Sequence, residues 1–229
     1  MWNIFSRAND DKLKYRVHVD DSQAWYRLGE CLRQQIDLMS KATGREKDIL
    51  VVCIGTDRST GDCLGPLTGT LLSEAADPNI IVKGTLSEPV HATNLKDAIV
   101  EIESLQSNRL VIAVDACLGR SESVGYISLS RGPLKPGTGV NKVLPEVGDM
   151  HITGIVNVGG YMEYLVLQNT RLSLVMKMAT SIAKAIQYAA SFHSLTARPG
   201  PITDNMDQVL ARRESAVSAV TAAEPVRPR

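Results

Sequence analysis

The sequence predicts an α/β fold in three layers, with a mostly parallel central sheet and helices on both faces. Asp48–Ile54 (D-I-L-V-V-C-I) and Arg109–Val114 (R-L-V-I-A-V) are near-continuous apolar runs, the pattern of strands covered on both sides. Segments of helical period separate the strand-like runs, which implies right-handed crossovers and parallel pairing. The 229 residues suffice for one domain with a core of its own. The two runs are expected as neighbouring central strands.

Tyr15, Val17 and Val19 alternate with polar residues and predict a short edge strand. From Ser22 to Met39, apolar residues recur at steps of three and four, giving an amphipathic helix capped by Asp21 or Ser22. Lys41–Lys47 reads as a charged connector, so residues 1–47 form a strand and helix packed on the core. The α/β core spans 48–193. After Asp48–Ile54 it contains a helix over Pro66–Ala76, a strand over Ile80–Val82, a helix over Thr93–Leu105 and the Arg109–Val114 strand. A strand over Gly125–Leu129, a turn over Pro133–Gly139 and one long helical stretch over Tyr161–Ala190 complete it. Residues 194–229, with Pro199, Pro201 and Pro225, read as a partly ordered or disordered tail.

Composition excludes several function classes. Lys plus Arg and Asp plus Glu each number 25, so no net field draws the chain to nucleic acid or an acidic membrane surface. Aromatic residues at 4% leave no stacking platform for single strands. No apolar run reaches the roughly 18 residues of a membrane span. Met1–Arg7 is too short and too soon charged for a signal peptide. Cys31, Cys53, Cys63 and Cys117 lack CxxC spacing and read as reduced small hydrophobes rather than zinc ligands. A soluble cytoplasmic protein is expected.

In a parallel sheet the active crevice lies beyond the carboxyl ends of the strands. The first such end reads G-T-D-R-S-T-G-D-C-L-G-P over 55–66, which is neither a Walker A loop nor GxGxxG. It offers Asp57 and Asp62; Asp62 is either a working carboxylate or a cap for the next helix. The third reads A-V-D-A-C-L-G over 113–119, where Asp115 directly follows buried apolar residues. A carboxylate there needs a partner or a crevice. Two carboxylates at one sheet end disfavour double ionisation, so one holds a proton while the other activates water. His91 and Asn94 in E-P-V-H-A-T-N, and His151 in G-D-M-H-I-T-G, are supporting candidates, although a lone histidine near a loop is more often structural. His18 and His193 receive no role. A thiol reading pairs Cys63 or Cys117 with His91 or His151.

The motifs G-T-D-R-S-T-G-D-C-L-G-P, V-D-A-C-L-G and T-G-I-V-N-V-G-G resemble the YyaC-type sporulation proteins of spore-forming Firmicutes. The resemblance runs from about Ile49 to the end of the long helix. That family is similar to the germination protease that degrades small acid-soluble spore proteins. More distantly it is similar to the hydrogenase maturation proteases, which share a phosphorylase/hydrolase-like fold. The resemblance implies an endopeptidase with Asp62 and Asp115 as its acids, no cofactor, and a protein or peptide substrate such as the small acid-soluble spore proteins. It places the protein in the mother cell or forespore. Two alternatives stay open: a metal-dependent maturation-type peptidase with Asp62, Asp115 and His151 on a divalent ion, and a non-catalytic spore-protein or peptide binder. A homo-oligomer is compatible with either.

Overall fold

A computed structural model describes residues 14–43, 48–105, 109–136 and 145–196. The strands are β1 (Lys14–His18), β2 (Asp48–Cys53), β3 (Ile80–Lys83), β4 (Arg109–Gly119), β5 (Tyr126–Arg131) and β6 (Met150–Val158). The helices are α1 (Ala24–Thr43), α2 (Leu64–Ala75), α3 (Leu95–Leu105), α4 (Glu163–Gln168) and α5 (Leu172–Thr196). The strands form one six-stranded sheet in the order β1-β5-β6-β4-β2-β3. Pairings β3–β2, β2–β4 and β4–β6 are parallel, while β5 runs antiparallel to both neighbours. The predicted α/β class therefore holds. So does the pairing of the two apolar runs, in register from Asp48↔Arg109 to Cys53↔Val114.

The two sheet faces differ. Ile49, Val51, Cys53, Leu110, Ile112 and Val114 share a core with Leu28, Leu32 and Ile36 of α1, Leu64 and Leu72 of α2, and Val175, Ile182 and Ile186 of α5. Most are wholly excluded from solvent, and each such Leu or Ile contributes about 2 kcal/mol through burial. The opposite face buries Leu50, Val52, Val111 and Ala113 beneath Leu95 and Ile102 of α3. That second cluster takes in no residue of β1, β5 or β6.

Several boundaries depart from the sequence reading. The stretch expected as one long helix from Tyr161 is two helices, α4 and α5, interrupted at Asn169–Arg171. Thr170 at the break is buried and donates to the Val166 carbonyl at 2.9 Å. β6 was not among the expected strands. Its burial does alternate, with Met150, Ile152 and Val156 inside, but Gly154 at an inward place and Ile155 at an outward one blur the apolar pattern that marks a strand. β4 runs on to Gly119, so Asp115 lies inside a strand rather than just after one. α1 starts at Ala24, and Asp21 makes the preceding turn by accepting the Gln23 amide at 2.9 Å. The backbone of α5 continues to Thr196, three residues into the segment read as tail, 194–229. The rest of that tail lies outside the described residues, as does the end of the 133–139 turn.

The start of α2 docks tightly on the end of β2. A β-carbon at Gly65 would lie 2.0 Å from the Ile54 carbonyl oxygen, backbone that cannot swing aside as a side chain would. Gly65→Ala is expected to destabilise the protein by about 3 kcal/mol. Urea unfolding checks this, and an unchanged midpoint would mean that α2 does not sit so close to β2.

Candidate functional site

β2 stops at Cys53 while β4 continues, and this difference in length creates the site. The Ile54 amide still donates to the Val114 carbonyl at 2.7 Å, after which the chain leaves the sheet. It turns at Gly55, whose φ of +146° disfavours a side chain. A β-carbon there would also lie 2.0 Å from the Asp62 carbonyl oxygen. The loop closes on itself, because the Thr56 amide donates to that oxygen at 3.3 Å. The Gly61 amide donates to the Leu167 carbonyl at 2.8 Å and ties the loop to α4. The amides of Gly55, Thr56, Gly61 and Cys63 are thus occupied within the fold, and none of them is free as an oxyanion donor.

Asp62 does not cap α2. Cys63 occupies the N-cap position, and no side chain caps the helix. The Asp62 carboxyl is partly buried, and burial raises its pKa while the Ser59 hydroxyl lowers it. That hydroxyl is itself buried, with no hydrogen-bond partner of good geometry among the described residues. The Ser59 hydroxyl thus acts on the Asp62 carboxyl from inside the same loop. The sequence reading passed over Ser59, which gives no signal beyond its position inside the loop motif.

Asp115 lies just past the last β2–β4 pair and opposite Thr153 of β6. Its Oδ1 accepts the Ala116 amide at 2.8 Å. Burial pushes its pKa up to about 8; the Ala116 amide opposes the rise and the charge of Asp62 adds to it. The two acids therefore interact, and Asp115 keeps its proton at neutral pH.

The other candidates scatter around this pair. Asp57 is exposed and accepts from the Thr56 hydroxyl at 3.5 Å. The 88–94 loop lies beside the site, since the Gly55 amide donates to the Val90 carbonyl at 2.8 Å. There the Asn94 side chain accepts the His91 amide and donates to the Pro89 carbonyl, and the His91 ring bonds the Thr93 hydroxyl at 2.8 Å. Those contacts shape the loop. His151 sits near the start of β6, two residues before the partner of Asp115, with Nδ1 2.9 Å from the Gly132 carbonyl oxygen. Among the described residues no three His, Cys, Asp or Glu side chains stand together as a metal-binding set. Asp62, Asp115 and His151 thus do not form a ready ligand triad. All four cysteines are free. Burial raises the Cys63 thiol and pushes Cys117 up to about 11, so neither is a ready thiolate. The His193 side chain lies outside the described residues. Those residues hold no helix long and apolar enough to cross a membrane.

The raised carboxyl has a thermodynamic signature. Between the unfolded value near 4 and the folded value of about 8, the folded state binds more protons than the unfolded one. Stability from this group is full below that window and lost as pH rises through it. At pH 9, Asp115→Asn is expected to gain roughly 1–3 kcal/mol over wild type, less than the full shift because the site relaxes. The gain should fade toward pH 4. Chemical denaturation at several pH values checks this, and a difference independent of pH would contradict the burial of the charge.

Comparison with known proteins places the chain. It is 54% identical over 179 residues to the uncharacterized protein YyaC of Bacillus subtilis (strain 168), covering 78% of this chain and 85% of that one. This bears out the YyaC resemblance carried by the motifs. Among solved structures it is similar to the NiFe hydrogenase maturation protease HycI from Thermococcus kodakarensis KOD1, at a TM-score of 0.38 and 16% identity. That match covers 68% of this chain and 95% of the other. The model of the family described as protein of unknown function (DUF1256) matches residues 16–185, most of the chain, and the protein belongs to that family.

Proposed function

We propose that this protein is a peptidase-like hydrolase, an endopeptidase of sporulating cells in which Asp62 and Asp115 work as an acid–base pair. The observation that carries the reading is the Asp115 carboxyl, raised to about 8 by burial and by the charge of Asp62, where β2 ends and β4 runs on. Two carboxyls with separated proton affinities supply both an acid and a base at neutral pH. Asp62 carries the charge and takes a proton from water as the oxygen adds to the peptide carbonyl carbon. Asp115 donates its proton to the amide nitrogen as the C–N bond breaks. The proton taken up by Asp62 then returns to Asp115 through solvent, which restores the pair.

The substrate under this reading is a protein or peptide, with the small acid-soluble spore proteins as the class that the germination protease resemblance suggests. The place of action is the cytoplasm of the mother cell or forespore. The described residues do not gather Asp62, Asp115 and His151, so no step is routed through a metal ion.

Spore proteins incubated with the enzyme and analysed by mass spectrometry test the reading. Asp62→Asn and Asp115→Asn are each expected to lower cleavage by about 100-fold or more while the protein stays folded. kcat/KM should fall as pH rises above about 8, where Asp115 loses its proton. Two fully active variants would refute the pair. Peptide binding without cleavage by wild type would favour the non-catalytic reading.

A further inference from the structure

We infer that the β1–β5–β6 half of the second sheet face is a binding groove for a carboxylate on the peptide substrate. This deepens the proposed function and rests on it for the word substrate; the binding itself does not depend on cleavage. The α3 side of this face is dry and apolar, whereas the β1–β5–β6 side holds a groove of about 650 Å³. Lys14 and Arg16 of β1, Arg120, Ser128 of β5, Thr153 of β6 and Cys117 of β4 line it, and Glu122 is the one acid among its lining residues.

The cations of the groove are unspent. Lys14, Arg16 and Arg120 make no ion pair among the described residues. The Arg16 guanidinium lies over the Tyr126 ring, 4.6 Å from its centre. Such stacking fixes the plane of the group and leaves its N–H edge for an oxygen ligand. Ser128, only 7% exposed, is also in the lining. A planar donor fork, two further cations and a serine hydroxyl make a site for a carboxylate.

The groove adjoins Asp115 through its strand neighbours. Thr153, in its wall, is the strand partner of Asp115. Cys117, also in its wall, lies within electrostatic reach of both Asp115 and Arg16. A peptide held at Asp115 would lay its neighbouring residues toward these cations. An acidic residue there would otherwise be repelled by the charge on the pair. The groove holds a few side chains rather than a duplex, and the chain as a whole carries no net charge to attract nucleic acid.

Fluorescence anisotropy of the full chain with labelled ten-residue Ala/Gly peptides tests this. The parent peptide carries one central Glu and a free C-terminus; the arms replace Glu by Gln, amidate the C-terminus, or do both. The doubly neutral peptide is expected to bind at least tenfold more weakly than the parent. The single arms show whether the side chain or the terminus is the ligand. Arg16→Gln and the exposed-site variant Arg120→Gln should abolish the preference, and Arg16→Lys should retain part of it. Equal binding of charged and neutral peptides, a preference that survives both Gln variants, or no binding in any arm would overturn the inference. So would inorganic phosphate displacing the parent peptide more tightly than acetate, since the site would then select a phosphoryl group. None of these readouts requires turnover, so a loss of catalysis in the Asp62→Asn variant with the preference intact would leave the groove standing.

Discussion

β4 carries a carboxyl group into the sheet at the level where β2 has already ended, and this mismatch governs the site. Asp115 has a strand on one side, through Thr153, and on the other only the chain leaving Ile54. A charge there is poorly solvated, so the group holds its proton up to about pH 8. The rest of the loop machinery places a second acid within its field. Gly55 lets the chain turn against the Asp62 carbonyl, Gly65 lets α2 dock under Ile54, and Gly61 fastens the loop to α4. The Asp62 backbone is thus held by the Gly55–Thr56 turn, and its carboxyl is not occupied in capping α2.

The sheet divides its labour between its faces. One face is dry across its width, under α1, α2 and α5, and supplies most of the hydrophobic stabilisation. The other is dry only under α3 and polar beneath β1, β5 and β6. Asp115 lies between these two halves, with its strand partner Thr153 in the wall of the groove.

Much of this was legible in the sequence. β2 and β4 announce themselves as apolar runs, and the two acids stand out because a carboxylate directly after such a run needs a reason. β6 was not legible: Gly154 takes an inward place and Ile155 an outward one, which blurs the pattern, and its pairing with β4 and β5 makes it a strand. The break between α4 and α5 was hidden for a related reason. Asn169–Arg171 has no Gly or Pro, and the Asn157 side chain of β6 donates to the Val166 carbonyl and the Thr170 hydroxyl at the break, a contact that only the fold supplies. The depth of Asp115 within β4 also lies beyond sequence, since relative strand length is a tertiary property. The same holds for Arg16: in the chain it is one basic residue of an edge strand, and its place near Cys117 appears only when β1 joins the far side of the sheet.

The central claim is that Asp62 and Asp115 titrate as one system. Carbon-13 NMR of aspartate-labelled protein, followed through pH in wild type and in Asp62→Asn, measures it most directly. The account predicts an Asp115 carboxyl titrating near pH 8 in wild type, raised mainly by burial, and at a lower pH once the charge of Asp62 is gone. An Asp115 titration near pH 4, or one that Asp62→Asn leaves unmoved, would contradict it.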